Sequence, residues 1–229
     1  MVRITISSRV KEACPDLHVL AIACQVKNSE SGVELWQEIS AEEEAFRSKH
    51  KIEDINKFPS IRATRQAYKT FGKDPNRYRP SAESLRRRIL KGMALYKIDT
   101  LVDIINLVSI RTGYSIGGFD ASKIVGNVEL GVGEEGELYH GIGRGVLNIA
   151  GLPVYRDQVS GIGTPTSDEE RTKIEMSTTS LFMIVNGYSG MDGLLEAGQY
   201  MVDLLRRYAS AEHVEAELIV GDKRDPIVL

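Results

Sequence analysis

Arg62-Ala-Thr-Arg65-Gln-Ala-Tyr68-Lys69-Thr-Phe71-Gly72-Lys73-Asp74-Pro75-Asn-Arg77-Tyr78-Arg79-Pro80-Ser81-Ala-Glu83-Ser-Leu85-Arg86-Arg87-Arg88 is the stretch on which the reading of this chain turns. Between Ile61 and Lys97 stand eleven Lys or Arg and two acids, Asp74 and Glu83, in a chain whose formal net charge is −3. The remainder is therefore acidic, and a segregated basic belt on an acidic body points to a local anionic partner. Two other readings stay open. The belt can be a solvated pair of helices with Arg in the turns. Some of its arginines, Arg79 and Arg87 among them, can also be internal ion-pair members, because the Arg fork grips a carboxylate at two points.

Locally the stretch reads as helix, stop, helix. Ser60 is placed to cap a helix over Ile61–Thr70, on which Arg62, Arg65 and Lys69 share a face at three- and four-residue steps. Phe71 to Pro75 is a stop and turn. Pro80 biases Arg79 towards an extended backbone, and Ser81 is placed to cap a second helix, Ala82–Lys91, with Glu83 in its first turn.

Outward from there, Val2–Ser7 alternates like a strand, and the β-branched run Leu17–Val26 predicts a buried one. Ser31 with Glu34 has capping-box spacing ahead of a helix over 32–50, with Val33, Trp36, Ile39 and Phe46 on one face and Glu42–Glu44 on the other. Leu101–Ser109 is an apolar helix with Asp103 and Asn106 embedded in it. After Gly117-Gly118 the chain turns Gly-rich, with strand-like runs at Asn127–Gly131, Glu137–Tyr139, Val146–Ile149, Pro153–Arg156 and Thr172–Val185. A helix over Asp192–Tyr208 and a strand over His213–Val220 follow, and Gly221–Asp225 is expected to fray. There is no internal repeat, low-complexity tract or linker. The expectation is one α+β domain over 1–229.

At 229 residues, 42% hydrophobic and 27% charged, the composition is that of an ordinary globular protein with room for a core. No apolar run approaches the roughly 20 residues needed to cross a bilayer, and the opening lacks a signal-peptide core. Cys14 and Cys24 suit reduced core thiols in a cytoplasmic protein. A pI near 5.9 argues against a protein that coats nucleic acid, while leaving room for a local contact. His18, His50, His140 and His213 have no metal-ligand or triad spacing, so neither a metal nor another cofactor is expected. Gly141-Ile-Gly143-Arg144-Gly145 lacks the Lys-Ser/Thr of a phosphate loop and reads as a hairpin turn. The run Ser160-Gly-Ile-Gly-Thr164-Pro-Thr-Ser167-Asp168-Glu-Glu170-Arg-Thr-Lys173-Ile174 is richer, because glycines let backbone approach a ligand and hydroxyls adapt to it. Ser177–Ser180 continues the hydroxyl pattern. A polar hairpin with an exposed strand reads equally well.

Taken in order, Phe58-Pro59-Ser60-Ile61, Arg65-Gln-Ala-Tyr68, Phe71-Gly72, Asp74-Pro75 and Arg77-Tyr78-Arg79-Pro80-Ser81 resemble the free-standing B3/B4-domain proteins. Leu85-Arg86-Arg87-Arg88, Leu101-Val102-Asp103 with Asn106, and Phe119-Asp120 with Lys123-Ile124 extend the likeness over roughly residues 10–210. Those proteins are similar to the editing module of the phenylalanyl-tRNA synthetase β subunit. The resemblance implies a layered α+β fold, a helical N-terminal half packed on a β-rich half. It also implies a role in hydrolysing wrongly charged tRNA without a nucleophilic side chain. The ester is labile, so such a site need only hold the terminal adenosine, position water and stabilise an oxyanion.

The pocket implied is Asn106, Gly117, Ser160, Gly161, Thr178 and Thr179, with Arg62, Arg65, Arg79, Arg86, Arg87 and Arg88 on tRNA phosphates. Against the synthetase pattern, Ile105 stands at a Thr position, Gly117 at a His position and Thr178 at the position of the Glu that reads tyrosine. The partner implied is the acceptor end of a tRNA or aminoacyl-tRNA, with no DNA or membrane. The alternative is a non-catalytic module that binds an amino acid, a related metabolite or a tRNA end.

Overall fold

The computed structural model describes residues 1–229. In chain order its elements are β1 (Ile4–Ile6), α1 (Ser8–Ala13), β2 (His18–Gln25), α2 (Val33–Lys49), α3 (Pro59–Thr70), α4 (Ser81–Leu90), α5 (Thr100–Thr112), β3 (Ile116–Asp120) and β4 (Val128–Val132). There follow β5 (His140–Gly141), β6 (Gly145–Val146), β7 (Pro153–Arg156), β8 (Gly161–Gly163), β9 (Ser180–Gly187), α6 (Leu194–Ala209), β10 (Glu212–Val220) and β11 (Lys223–Ile227).

Two sheets and a helical layer stack in three tiers. The middle tier is an antiparallel sheet in the order β11-β10-β2-β9-β3. On one face Leu20, Ile22, Leu181, Met183 and Val185 pack against α2, α5 and α6 through Leu35, Ile104, Leu107, Val108, Met201 and Leu205. On the other, Val19, Ala21, Phe182 and Ile184 meet Ile4, Leu130, Tyr155 and Ile162. These last belong to the second sheet, β1-β4-β7-β8, in which only β1 and β4 run parallel. Strands β2 and β9 are thus covered on both faces, so neither alternates apolar with polar residues. Burying each of their large side chains contributes about 1.5–3 kcal/mol. No helix is long and apolar enough to cross a membrane.

Helix starts differ from the expected caps. Gly32, not Ser31, is the N-cap of α2, and the Ser31 hydroxyl instead donates to Asp103 Oδ2 at 2.6 Å. Phe58 precedes α3, with Pro59 in the first turn, where its missing N–H costs nothing. Pro80 precedes α4, so Ser60 and Ser81 lie inside their helices. The expected strand over Thr172–Val185 begins only at Ser180, after a 3-10 turn at Glu170–Thr172. The segment expected to fray forms β11, paired with β10 from Ala216↔Ile227 to Val220↔Lys223.

Candidate functional site

A cavity of about 270 Å³ opens between α4, α5, the edge strand β3 and the segment 164–174. Its walls are aliphatic, with Leu85 from α4, Val102 and Ile105 from α5, Ile116 from β3, and Ile174. Its polar groups are Ser81, Asn106, Ser109, Thr164, Ser167, Asp168 and Lys173. Asn106 and Ser109 reach it together because α5 brings residues three apart onto one face. The rim at Ile98 is held by Asp103, whose buried carboxylate accepts from the Ile98 N–H at 3.2 Å and from Trp36 Nε1 at 3.1 Å.

The polar floor is a built loop. Thr164 Oγ1 accepts from the backbone N–H groups of Thr166 (3.2 Å) and Ser167 (3.1 Å), a hydroxyl-centred turn. Three elements then pin it. The Ser81 N–H at the start of α4 donates to Pro165 O at 2.8 Å. The Tyr68 and Thr166 hydroxyls share a hydrogen bond of 2.8 Å, and the Tyr139 hydroxyl donates to Ser167 O at 2.6 Å.

This turn delivers Asp168 to the edge of β3, where the Gly118 N–H donates to its Oδ2 at 3.1 Å. Gly163 leaves the space that the carboxylate uses, since a Cβ there would lie 2.9 Å from Asp168 Oδ1. Asp168 lies deep in the molecule yet stays partly accessible, because what it faces is the cavity. Desolvation pushes its pKa up to about 7, against the lowering effect of the Gly118 hydrogen bond.

Of the pocket residues expected from sequence, Asn106 lines this cavity and the others do not. Gly117 sits on the opposite face of β3 from Ile116 and Gly118, because strand positions alternate. A Cβ at 117 would lie 2.7 Å from the Phe119 ring, so a His side chain has no room there. Ser160 and Gly161 line a separate groove with Glu137, His140, Arg156 and Glu169. Thr178 is buried, and its hydroxyl donates to Asp120 Oδ2 at 2.9 Å, tying the turn before β9 to the end of β3. Thr179 is exposed.

The arginine belt is largely turned inward. Glu83 is fully buried and takes Arg65 Nη1 at 2.9 Å and Arg87 Nε at 2.7 Å. Arg79 is about half exposed, 3.9 Å from the same carboxylate. Arg86 is buried over the Phe58 ring (4.2 Å) and donates to Ile110 O (2.8 Å) and Arg111 O (3.2 Å). It thereby satisfies orphan carbonyls at the C-terminus of α5, where a positive charge is favoured. Burial lowers its pKa to about 10, so it stays charged at neutral pH. Arg88 stacks on Tyr96 at 4.1 Å and donates to Ala94 O. Among the six, Arg62 alone has an exposed side chain that makes no hydrogen bond or ion pair within the protein.

Sequence reasoning did not single out Asp168, although the run Ser160–Ile174 that contains it stood out for its glycines and hydroxyls. The missing signal is three-dimensional: Asp168 becomes distinctive only beside Gly118, fifty residues earlier.

The B3/4 domain model matches residues 63–203, which takes in α4, α5, β3 and the loop that carries Asp168. No curated protein matches the chain. Among solved structures, an N-terminal fragment of the phenylalanyl-tRNA synthetase β subunit from Pyrococcus horikoshii is similar in fold, with TM-score 0.54 and 15% identity. That likeness covers 100% of this chain, which spans 55% of the fragment. With the greater part of its length matched and the layered fold shared, the chain belongs to the B3/4 domain family.

Proposed function

We propose that the chain is a synthetase-related module whose cavity receives the aminoacyl group at the end of a tRNA and releases it by ester hydrolysis. The observation that carries this reading is the cavity itself. Its volume of about 270 Å³ suits one amino-acid side chain, and its apolar walls enclose several polar groups, Asn106 and Asp168 among them. The Asn106 side chain makes no hydrogen bond inside the protein, so its amide is free to donate to a developing oxyanion. The ester supplies its own reactivity, and the requirement on the protein is to hold the acyl group and admit water. Family membership supports a tRNA-synthetase-related role in general terms.

A second reading is favoured by the internal pairing of Arg65 and Arg87, which removes two cations from the proposed tRNA face. In that reading the same cavity binds a free amino acid. Incubation with a panel of mischarged tRNAs separates the two. The hydrolytic reading expects one tRNA to be deacylated at least tenfold above buffer, with the rate reduced in Asn106→Ala. Deacylation at the buffer rate for every tRNA, together with saturable binding of a free amino acid, would leave only the second.

A further inference from the structure

The cavity holds a carboxylate that the protein leaves without a counter-charge. Asp168 Oδ2 is engaged by the Gly118 N–H, whereas Oδ1 has no partner in the protein. The cation on the cavity wall, Lys173, is tied to Glu170 at 2.8 Å. No other Lys or Arg lines the space, and aliphatic side chains predominate around it. A carboxylate in such surroundings is relieved either by protonation or by a cation brought from outside.

We propose that the ligand of this cavity carries a primary ammonium on an aliphatic stem, as lysine and ornithine do, and that Asp168 is the residue that selects it. This rests on the reading of the cavity as a ligand site. The stem would lie along Leu85, Val102 and Ile105, and the ammonium would meet the Asp168 carboxylate. An ammonium is a compact charge that one oxygen can hold, with Asn106 and Ser109 as further acceptors for its other protons. A guanidinium prefers both carboxylate oxygens in a planar fork, and here it would have to share Oδ2 with the Gly118 N–H. An acidic side chain would face Asp168 with like charge and nothing to offset it. Desolvation raises the pKa of Asp168, and no cation in the protein offsets it.

The test compares lysinamide, argininamide, norleucinamide and glutamine amide by calorimetry at pH 8 and low salt, with the carboxyl amidated to match an ester. Lysinamide and norleucinamide have nearly the same stem and differ in the terminal ammonium. The expected result is lysinamide binding at least tenfold more tightly than each of the others. Asp168→Asn should erase that preference, so that lysinamide and norleucinamide bind within twofold of each other, and the native circular dichroism spectrum of the variant would show that it folds. Equal binding of lysinamide and norleucinamide overturns the ammonium assignment but keeps the cavity as an amino-acid site. Absence of binding by any of the four overturns both this assignment and the reading it rests on.

Discussion

Asp168 is the residue where burial and chemistry meet, and its consequences reach beyond ligand choice. Its carboxyl titrates at about 7 in the folded chain, against an ordinary value near 3.9 in the unfolded one. A raised folded pKa means that the protonated form favours folding. Its contribution is complete below about pH 4 and is lost as pH rises through 7. Stability of the unliganded protein should therefore fall by about 2 kcal/mol across that window, after allowing for screening by water in the cavity. Asp168→Asn keeps an acceptor for the Gly118 N–H and removes the titration. Urea unfolding at pH 3.5 and pH 8 should show the variant equal to the parent at the lower pH and more stable at the higher. Parallel pH profiles would show that the group is not held in this state.

The same scale explains what sequence could not reveal. The resemblance implied pocket roles for Thr178 and Gly117. Their surroundings here, Asp120 and the Phe119 ring, come from β3, and no local pattern announces them. Asn106 was placed in the pocket by the resemblance to the synthetase module; in the sequence itself it stands out only as a polar residue embedded in the apolar run of α5.

At the scale of elements, Glu83 is the clamp that sets α3 against α4. Beyond the two guanidinium contacts it makes, Arg65 reaches Pro75 O (3.1 Å) and Asn76 Oδ1 (2.7 Å), and Arg87 reaches Asn56 Oδ1 (3.0 Å). One buried carboxylate thus organises the turn between the helices as well as their contact. Replacing it with Ala strands two charged groups, and such a change typically costs about 3–5 kcal/mol. Glu83→Ala should shift the urea midpoint by that order, whereas Arg79→Ala, at a half-exposed site 3.9 Å away, should change stability by less than about 1 kcal/mol. Similar shifts for the two variants would deny Glu83 this role.

The helices themselves were readable, because apolar spacing and the Pro-Ser and Gly punctuation are local signals. Strand β3 was not. Its Ile-Gly-Gly-Phe-Asp has two glycines, which lower strand propensity, and it is held by pairing with β9 some sixty residues on. Strand β11 escaped notice for the same reason, its polar residues being recruited by β10.

At the scale of the whole molecule, the contrast between a basic belt and an acidic body is real in the sequence but weaker on the folded surface. Lys73 is also turned inward, donating to Asn148 O at 2.7 Å and Ala150 O at 2.8 Å. With Arg65, Arg86 and Arg87 engaged as well, the expected phosphate ligands reduce to Arg62, the half-exposed Arg79 and Arg88, whose Nε is shared with Ala94 O. Each phosphate neutralised contributes about −0.7 to −0.9 to the slope of log affinity against log salt. Three such contacts give a slope no steeper than about −3, where six free arginines would approach about −5. Affinity for a tRNA should therefore fall gently between 50 and 200 mM salt, by about sixty-fold at most, as filter binding or anisotropy would read it. Arg62→Ala should reduce the slope by nearly one unit, while Arg86→Ala should lower stability without changing the slope. A slope near −5 that survives neutralisation of the exposed Lys69, Arg77, Lys91 and Lys97 would mean that the Glu83 clamp opens on RNA and releases its arginines. The belt would then be a reserve of charge held by the fold until a polyanion competes for it.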